Sequence, residues 1–130
     1  MLLFYKRYID DVLVACPKGD ADLVLSIFND FNSKIQFTKE MEKNNQINFF
    51  DITITREPDI NIITNWFTKP TWIGRYINWN LDRVLTFSNI KFRNNNLNEL
   101  KCALIKNDYT EQFVNKLIKR SIHRFYNKHK

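Results

Sequence analysis

The chain has 130 residues, is 44% hydrophobic and 15% aromatic, and carries a formal net charge of +6. That size fits one small domain or two very small lobes and excludes a multidomain enzyme, while the apolar fraction excludes wholesale disorder. The charge is uneven: residues 1–65 hold 7 Lys+Arg against 10 Asp+Glu, a net of −3, and residues 66–130 hold 13 against 4, a net of +9.

Leu2 to Tyr8 and Val12 to Ala15 are β-prone runs rich in aromatic and branched residues. Asp10 and Asp11 fall between them, so the segment predicts a tight hairpin with two carboxylates at its bend. Pro17-Lys18-Gly19-Asp20 is a break, and Asp20 or Asp22 is placed to cap the helix that follows. Leu23, Val24, Ile27, Phe28 and Phe31 recur at helical spacing, and Asn29, Asn32 and Ser33 end that stripe. Ile35 to Met41 alternates like a half-buried strand, and Lys43-Asn44-Asn45-Gln46 reads as a turn. Ile47 to Thr55 reads as a second strand, Glu57-Pro58-Asp59 as another turn, and Ile60 to Phe67 as a third strand. The first 67 residues therefore predict a β-hairpin, a helix and a three-strand meander.

From Lys69-Pro70-Thr71-Trp72 through Trp79-Asn80 no period is visible, and the stretch 68–80 reads as a connector. Beyond it the pattern turns helical. Leu81, Val84, Leu85 and Phe87 predict a short helix. Leu97, Leu100, Ala103 and Leu104 predict a helix over 96–106, with Asn94-Asn95-Asn96 as a loop tip before it. Phe113, Leu117, Ile118, Ile122 and Phe125 predict a last helix over 110–126. Asn107-Asp108-Tyr109 is the turn between these two, with Thr110 as N-cap and Glu111 in the first turn. The fold class expected is α+β, a β-hairpin, a helix and a β-meander followed by an α-helical region.

Several chemistries are excluded. Gly19 and Gly74, the two glycines, cannot build a glycine-rich phosphate loop. Cys16 and Cys102 lack the spacing of a zinc ribbon or disulfide framework and fit a reducing compartment. His123 and His129 are not at the i,i+4 spacing of helical metal ligands. There is no apolar run of transmembrane length, and Met1-Leu2-Leu3-Phe4 is interrupted by Lys6 and Arg7. An intracellular protein, nuclear or cytoplasmic, neither secreted nor membrane-bound, is expected.

The sharpest chemical signal is Tyr8-Ile9-Asp10-Asp11. Adjacent carboxylates on a rigid bend suit divalent cations, and Mg²⁺ brings phosphate with it, or else the pair is simply turn chemistry. The basic second half draws polyanions. Its last helix carries Lys116, Lys119, Arg120 and Arg124, with Lys128, His129 and Lys130 beyond. Such a helix lies along phosphates, or else it is an amphipathic helix packed on its neighbour with a basic outer face. Trp66, Phe67, Trp72, Tyr76 and Trp79 gather near Lys69 and Arg75, an arrangement for stacking on bases or for packing between lobes. Glu40 and Glu42 read as one charged exposed strand face.

Phe4-Tyr5-Lys6-Arg7-Tyr8-Ile9-Asp10-Asp11-Val12 resembles the active-site hairpin of reverse transcriptases, and more narrowly that of Penelope-like retroelements. Ile35 to Glu40, Ile47 to Ile54, Thr68 to Trp72, Gly74 to Asn78 and Asn107-Asp108-Tyr109 are similar, in the same order, to later segments of that group. Phe50 stands where Leu is more usual, and Asp108 where Gly is usual. The resemblance implies that residues 1–67 are the last part of a polymerase palm, 68–80 a connector, and 81–130 a helical thumb that also has helix-turn-helix proportions. It implies Asp10 as the metal-binding aspartate of the hairpin motif and Asp11 as its neighbour, both catalytic Mg²⁺ ligands. Lys39 reads as a solvated strand lysine, with a general-acid role by analogy as the alternative. The basic residues Lys69, Arg75, Lys116, Lys119, Arg120 and Arg124 read from their own pattern as the candidate contacts to an RNA/DNA hybrid or duplex. The family's further palm aspartate and finger elements do not precede the hairpin here. Its Ser-x-His-Pro stretch is missing after Asn80, and no GIY-YIG endonuclease segment follows Lys130. The expectation is therefore a truncated polymerase fragment, inactive alone, with an exposed palm edge that invites self-association. The alternatives are a non-catalytic nucleic-acid-binding helix-turn-helix module and a functionless pseudogene product.

Overall fold

The computed structural model describes residues 2–59, 61–68 and 77–128. Two small antiparallel sheets and four helices follow one another along the chain. The class is α+β, with a hairpin, a helix and a meander before the helical second half, as the sequence predicts. Strands β1 (Phe4–Tyr8) and β2 (Asp11–Ala15) form the first hairpin. Helix α1 (Ala21–Asp30) follows the Pro17–Asp20 break. Asp20 occupies the N-cap position, but its side chain makes no capping hydrogen bond. Strands β3 (Gln46–Phe49), β4 (Ile52–Arg56) and β5 (Ile62–Trp66) form the second sheet in that order.

The meander is built from different strands than the sequence predicts. The run Ile47 to Thr55 is not one strand: Phe49 pairs with Ile52, so the chain reverses through Phe50-Asp51. Phe50 adopts φ 58, a left-handed conformation that no glycine announces. Ile35 to Met41 is not a strand. The side chain of Asn29 holds it instead, accepting from the Phe37 N–H at 2.6 Å and donating to the Phe37 carbonyl at 3.2 Å. One side-chain amide thus satisfies the backbone groups that a neighbouring strand would otherwise bond. The Lys43–Gln46 turn forms as expected, with Asn44 and Asn45 at φ 51 and 59 and hydrogen bonds both ways between Lys43 and Gln46.

Helices α2 (Ile77–Phe87), α3 (Ile90–Lys106) and α4 (Glu111–Lys128) pack on one another, and α2 also packs on β5. Two sequence expectations fail here. Trp79-Asn80 belongs to α2 and not to the connector, because Asn80 and Leu81 are already buried. Asn94 to Asn96 is helix and not loop. Asn89 caps α3 by accepting from the Lys91 N–H, which starts the helix six residues before the predicted position. Asn96 is buried, donating to Asn65 Oδ1 at 2.6 Å and Ser88 Oγ at 2.7 Å, so it ties α3 to β5 and to the end of α2.

The buried apolar residues are Trp66, Leu81, Val84, Leu85, Leu97, Leu100, Leu104 and Val114. All lie at or beyond β5. Helix α1 has no buried residue, and Leu23, Ile27 and Phe31 face outward. Its inner side rests on aromatic contacts, Phe28 with Tyr5 and Phe37. On α4 the apolar stripe is rotated from the predicted one: Val114 is fully buried and Phe113 is exposed, lying near-parallel to the Tyr109 ring.

The α3–α4 turn shows local chemistry at work. Asp108 adopts φ 66. The Asp108 N–H donates to the Ile105 carbonyl at 3.1 Å and the Tyr109 N–H to the Leu104 carbonyl at 3.2 Å, a Schellman closure of α3. A side chain in that conformation crowds its own backbone, so Asp108→Gly should stabilise the chain by about 1 kcal/mol in urea denaturation. Across the same turn Lys101 Nζ donates to Glu111 Oε1 at 2.7 Å. That hydrogen bond, with the attraction of the ammonium and a smaller contribution from Asn115, holds the Glu111 carboxyl below its ordinary value. A depressed carboxyl stabilises the fold above its unfolded-state value and loses that contribution as pH falls through the folded one. Lys101→Met should therefore raise the Glu111 titration midpoint, read from its side-chain carbon shift, and flatten the acid limb of stability against pH.

Candidate functional site

The first hairpin closes in register from Phe4↔Ala15 to Tyr8↔Asp11, leaving Ile9-Asp10 as a two-residue bend. Asp10 is thus on the bend and Asp11 is the first residue of β2, both exposed. Ile9 adopts φ 51, a sterically costly region for a β-branched residue. Arg7 steadies the bend by donating Nε–H to the Ile9 carbonyl at 2.9 Å. The outer edge of β1 pairs with no strand among the described residues.

The bend does not stand alone. The rings of Tyr8 and Phe50 lie 4.0 Å apart between centroids, so the two hairpin ends meet. Arg83 of α2 reaches the same place. Its guanidinium lies 4.7 Å from the Phe50 ring centroid and 3.8 Å from that of Trp79, with Phe87 at 5.8 Å. It pairs with Asp51, the neighbour of Phe50, and both side chains are nearly buried. Burial pulls the Arg83 guanidinium below its ordinary value and the nearby Tyr8 hydroxyl opposes this; the group stays charged at any pH the fold meets.

Sequence reasoning missed this cluster. Trp79, Arg83 and Phe87 are spaced by four along α2, which puts an arginine between two aromatics on one helix face. That spacing was the available signal. Trp66 packs in the core, and Trp79 is exposed but carries Arg83. Lys69, Arg75, Trp72 and Tyr76 lie outside the described residues, as do His129 and Lys130. Lys39 is ion-paired with Asp22, and Glu42 accepts both Nε–H and Nη2–H from Arg56 at 3.2 and 3.1 Å.

The two bend carboxylates fall short of the metal centre the resemblance implies. Among the described residues no cluster of three His, Cys, Asp or Glu side chains forms. Asp51 is committed to Arg83. Mg²⁺ takes six oxygens in a near-octahedral shell, and a two-ion phosphoryl-transfer site needs ligands from more than one neighbouring pair. The described residues do not make up that site.

The second candidate surface is α4. Lys116, Lys119, Arg120 and His123 share its exposed face, opposite the side carrying Val114, Leu117, Ile118, Ser121 and Phe125. Lys116, Lys119 and Arg120 make no ion pair among the described residues. Arg124 differs, since its Nη2 donates to Asp82 at 2.7 Å and fastens α4 to α2. No helix among the described residues is long and apolar enough to cross a membrane.

No protein-family model, curated protein or solved structure matches the chain.

Proposed function

We propose that this chain is a segment of a retroelement reverse transcriptase, an RNA-directed DNA polymerase, and that by itself it does not polymerise. The supporting observation is the Tyr8-Ile9-Asp10-Asp11 bend. It puts an aspartate couplet at the tip of a two-residue hairpin, followed in order by a helix, an antiparallel sheet and a helical unit. Asp10 and Asp11 would be the residues facing Mg²⁺ in the whole enzyme. A primed RNA template with Mg²⁺ and deoxynucleotides tests this. The isolated chain is expected to add no nucleotides, and processive extension would overturn the inactive reading. The reading frame encoding the segment before Met1 tests the lineage, which expects an in-frame aspartate-bearing strand.

A second reading, a non-catalytic nucleic-acid-binding module, is favoured by the basic outer face of α4. Lysines and arginines bind phosphates by releasing counterions, so affinity falls as salt rises. Anisotropy with a labelled RNA/DNA hybrid should show a strongly salt-dependent affinity. Replacing Lys116, Lys119 and Arg120 together with Gln should reduce the slope of log K against log salt by about 2–3, nearly one for each phosphate no longer neutralised. Hybrid and duplex DNA should respond alike, since no base-reading set accompanies these cations. A slope unchanged by the triple substitution would remove this face from the interface.

A further inference from the structure

Arg83 is close to the aspartate bend in space but far from it in sequence, and the contacts between them run in series. The guanidinium holds Asp51 in an ion pair and lies over the Phe50 ring. The Phe50 ring meets Tyr8. Tyr8 pairs with Asp11 and directly precedes Ile9-Asp10. We propose that Arg83 is a positioning residue for the Asp10–Asp11 bend, acting through Phe50 and Tyr8, so that the seating of helix α2 sets where the two carboxylates point.

Three features carry this beyond simple packing of a helix on a sheet. The arginine engages the Phe50-Asp51 turn twice, pairing its charge with Asp51 and lying over the Phe50 ring. Phe50 sits in a left-handed backbone conformation at the link between Arg83 and Tyr8, and its ring is in contact with both. The hairpin itself has no buried residue, and Tyr8 is one of the few anchors near its tip. A bend so lightly held takes its orientation from the contacts it has, and the Tyr8–Phe50 contact leads to the nearly buried Arg83–Asp51 pair.

The relay rests on the polymerase reading only for its purpose, since the coupling itself is measurable in the free chain. Amide ¹H–¹⁵N spectra of the full chain would be compared for Arg83→Met, which removes the charge, and Arg83→Lys, which keeps a charge but loses the planar face. Both are expected to move the Ile9, Asp10, Asp11 and Val12 signals while the far end of the hairpin at Phe4 and Ala15 stays put. Arg124→Gln, which breaks another ion pair to α2, is expected to leave the bend unmoved. In a Tyr8→Leu background the Arg83 substitutions should no longer reach the bend, a non-additivity that general loosening of the fold would not produce. If Arg83→Met fails to fold, Arg83→Lys decides. Bend signals unmoved in a folded Arg83 variant, or moved equally with Tyr8 absent, overturn the relay. Nucleotide addition by the isolated chain would overturn the function proposed above without touching these amides, and unmoved amides overturn the relay whatever the chain does, so the two fail separately.

Discussion

Asp51→Ala should lower the unfolding free energy by about 3–5 kcal/mol, the usual cost of stripping one partner from a nearly buried ion pair. The loss comes from what is left behind. Arg83 cannot shed its proton, and without Asp51 its charge has aromatic faces around it and little water. Asp51→Asn should cost less, because the amide keeps a carbonyl dipole facing the guanidinium. Replacing both partners by apolar residues, Asp51→Leu with Arg83→Met, should recover much of the deficit, since neither charge then has to be desolvated. Urea denaturation followed by tryptophan fluorescence would rank the four chains. An Asp51→Ala chain as stable as the parent would show that the pair contributes nothing net.

The second large effect is expected in the helical unit. Leu104 is wholly buried in the cluster that also holds Leu81, Val84, Leu85, Leu100 and Val114. Leu104→Ala should cost about 2–5 kcal/mol, the lost transfer energy plus the cavity left when close-packed neighbours relax only in part. Leu23→Ala on α1 removes the same atoms from a side chain that is 60% exposed, and should change stability by no more than about 0.5 kcal/mol. The comparison is a direct test of where cohesion resides, because chemistry is held fixed and only burial differs.

Much of this arrangement is legible in the sequence, and the failures have identifiable causes. The hairpin around Asp10, helix α1 and the α3–turn–α4 unit follow from periodicity and from short polar breaks. The Phe50-Asp51 reversal does not, because neither glycine nor asparagine occupies the left-handed position and the run reads as unbroken β-former. Ile35 to Met41 alternates correctly for a strand but finds no ladder, and Asn29 holds it through a contact that no local pattern encodes. The asparagines before Leu97 suggest a loop by type, yet Asn96 is buried because Asn65 and Ser88 meet it from other elements. At the candidate site the aspartates and basic residues are visible as motifs. Arg83 escapes notice because its significance depends on Asp51 and Phe50, which approach it only in three dimensions.

The lopsided core has a consequence for how the molecule comes into being. Every deeply buried apolar side chain among the described residues stands at Trp66 or later. A ribosome delivers the hairpin first, and roughly sixty further residues must follow Trp66 before α4 is complete. At ordinary elongation rates that is a delay of about 3–12 s. Throughout it Phe4, Tyr5 and Tyr8, about half exposed even in the finished fold, stand on a strand whose outer edge pairs with no other strand among the described residues, and Arg83 has at first yet to arrive at Phe50. Nascent-chain chaperones would find their substrate in that interval, at the same residues that later surround the aspartate couplet.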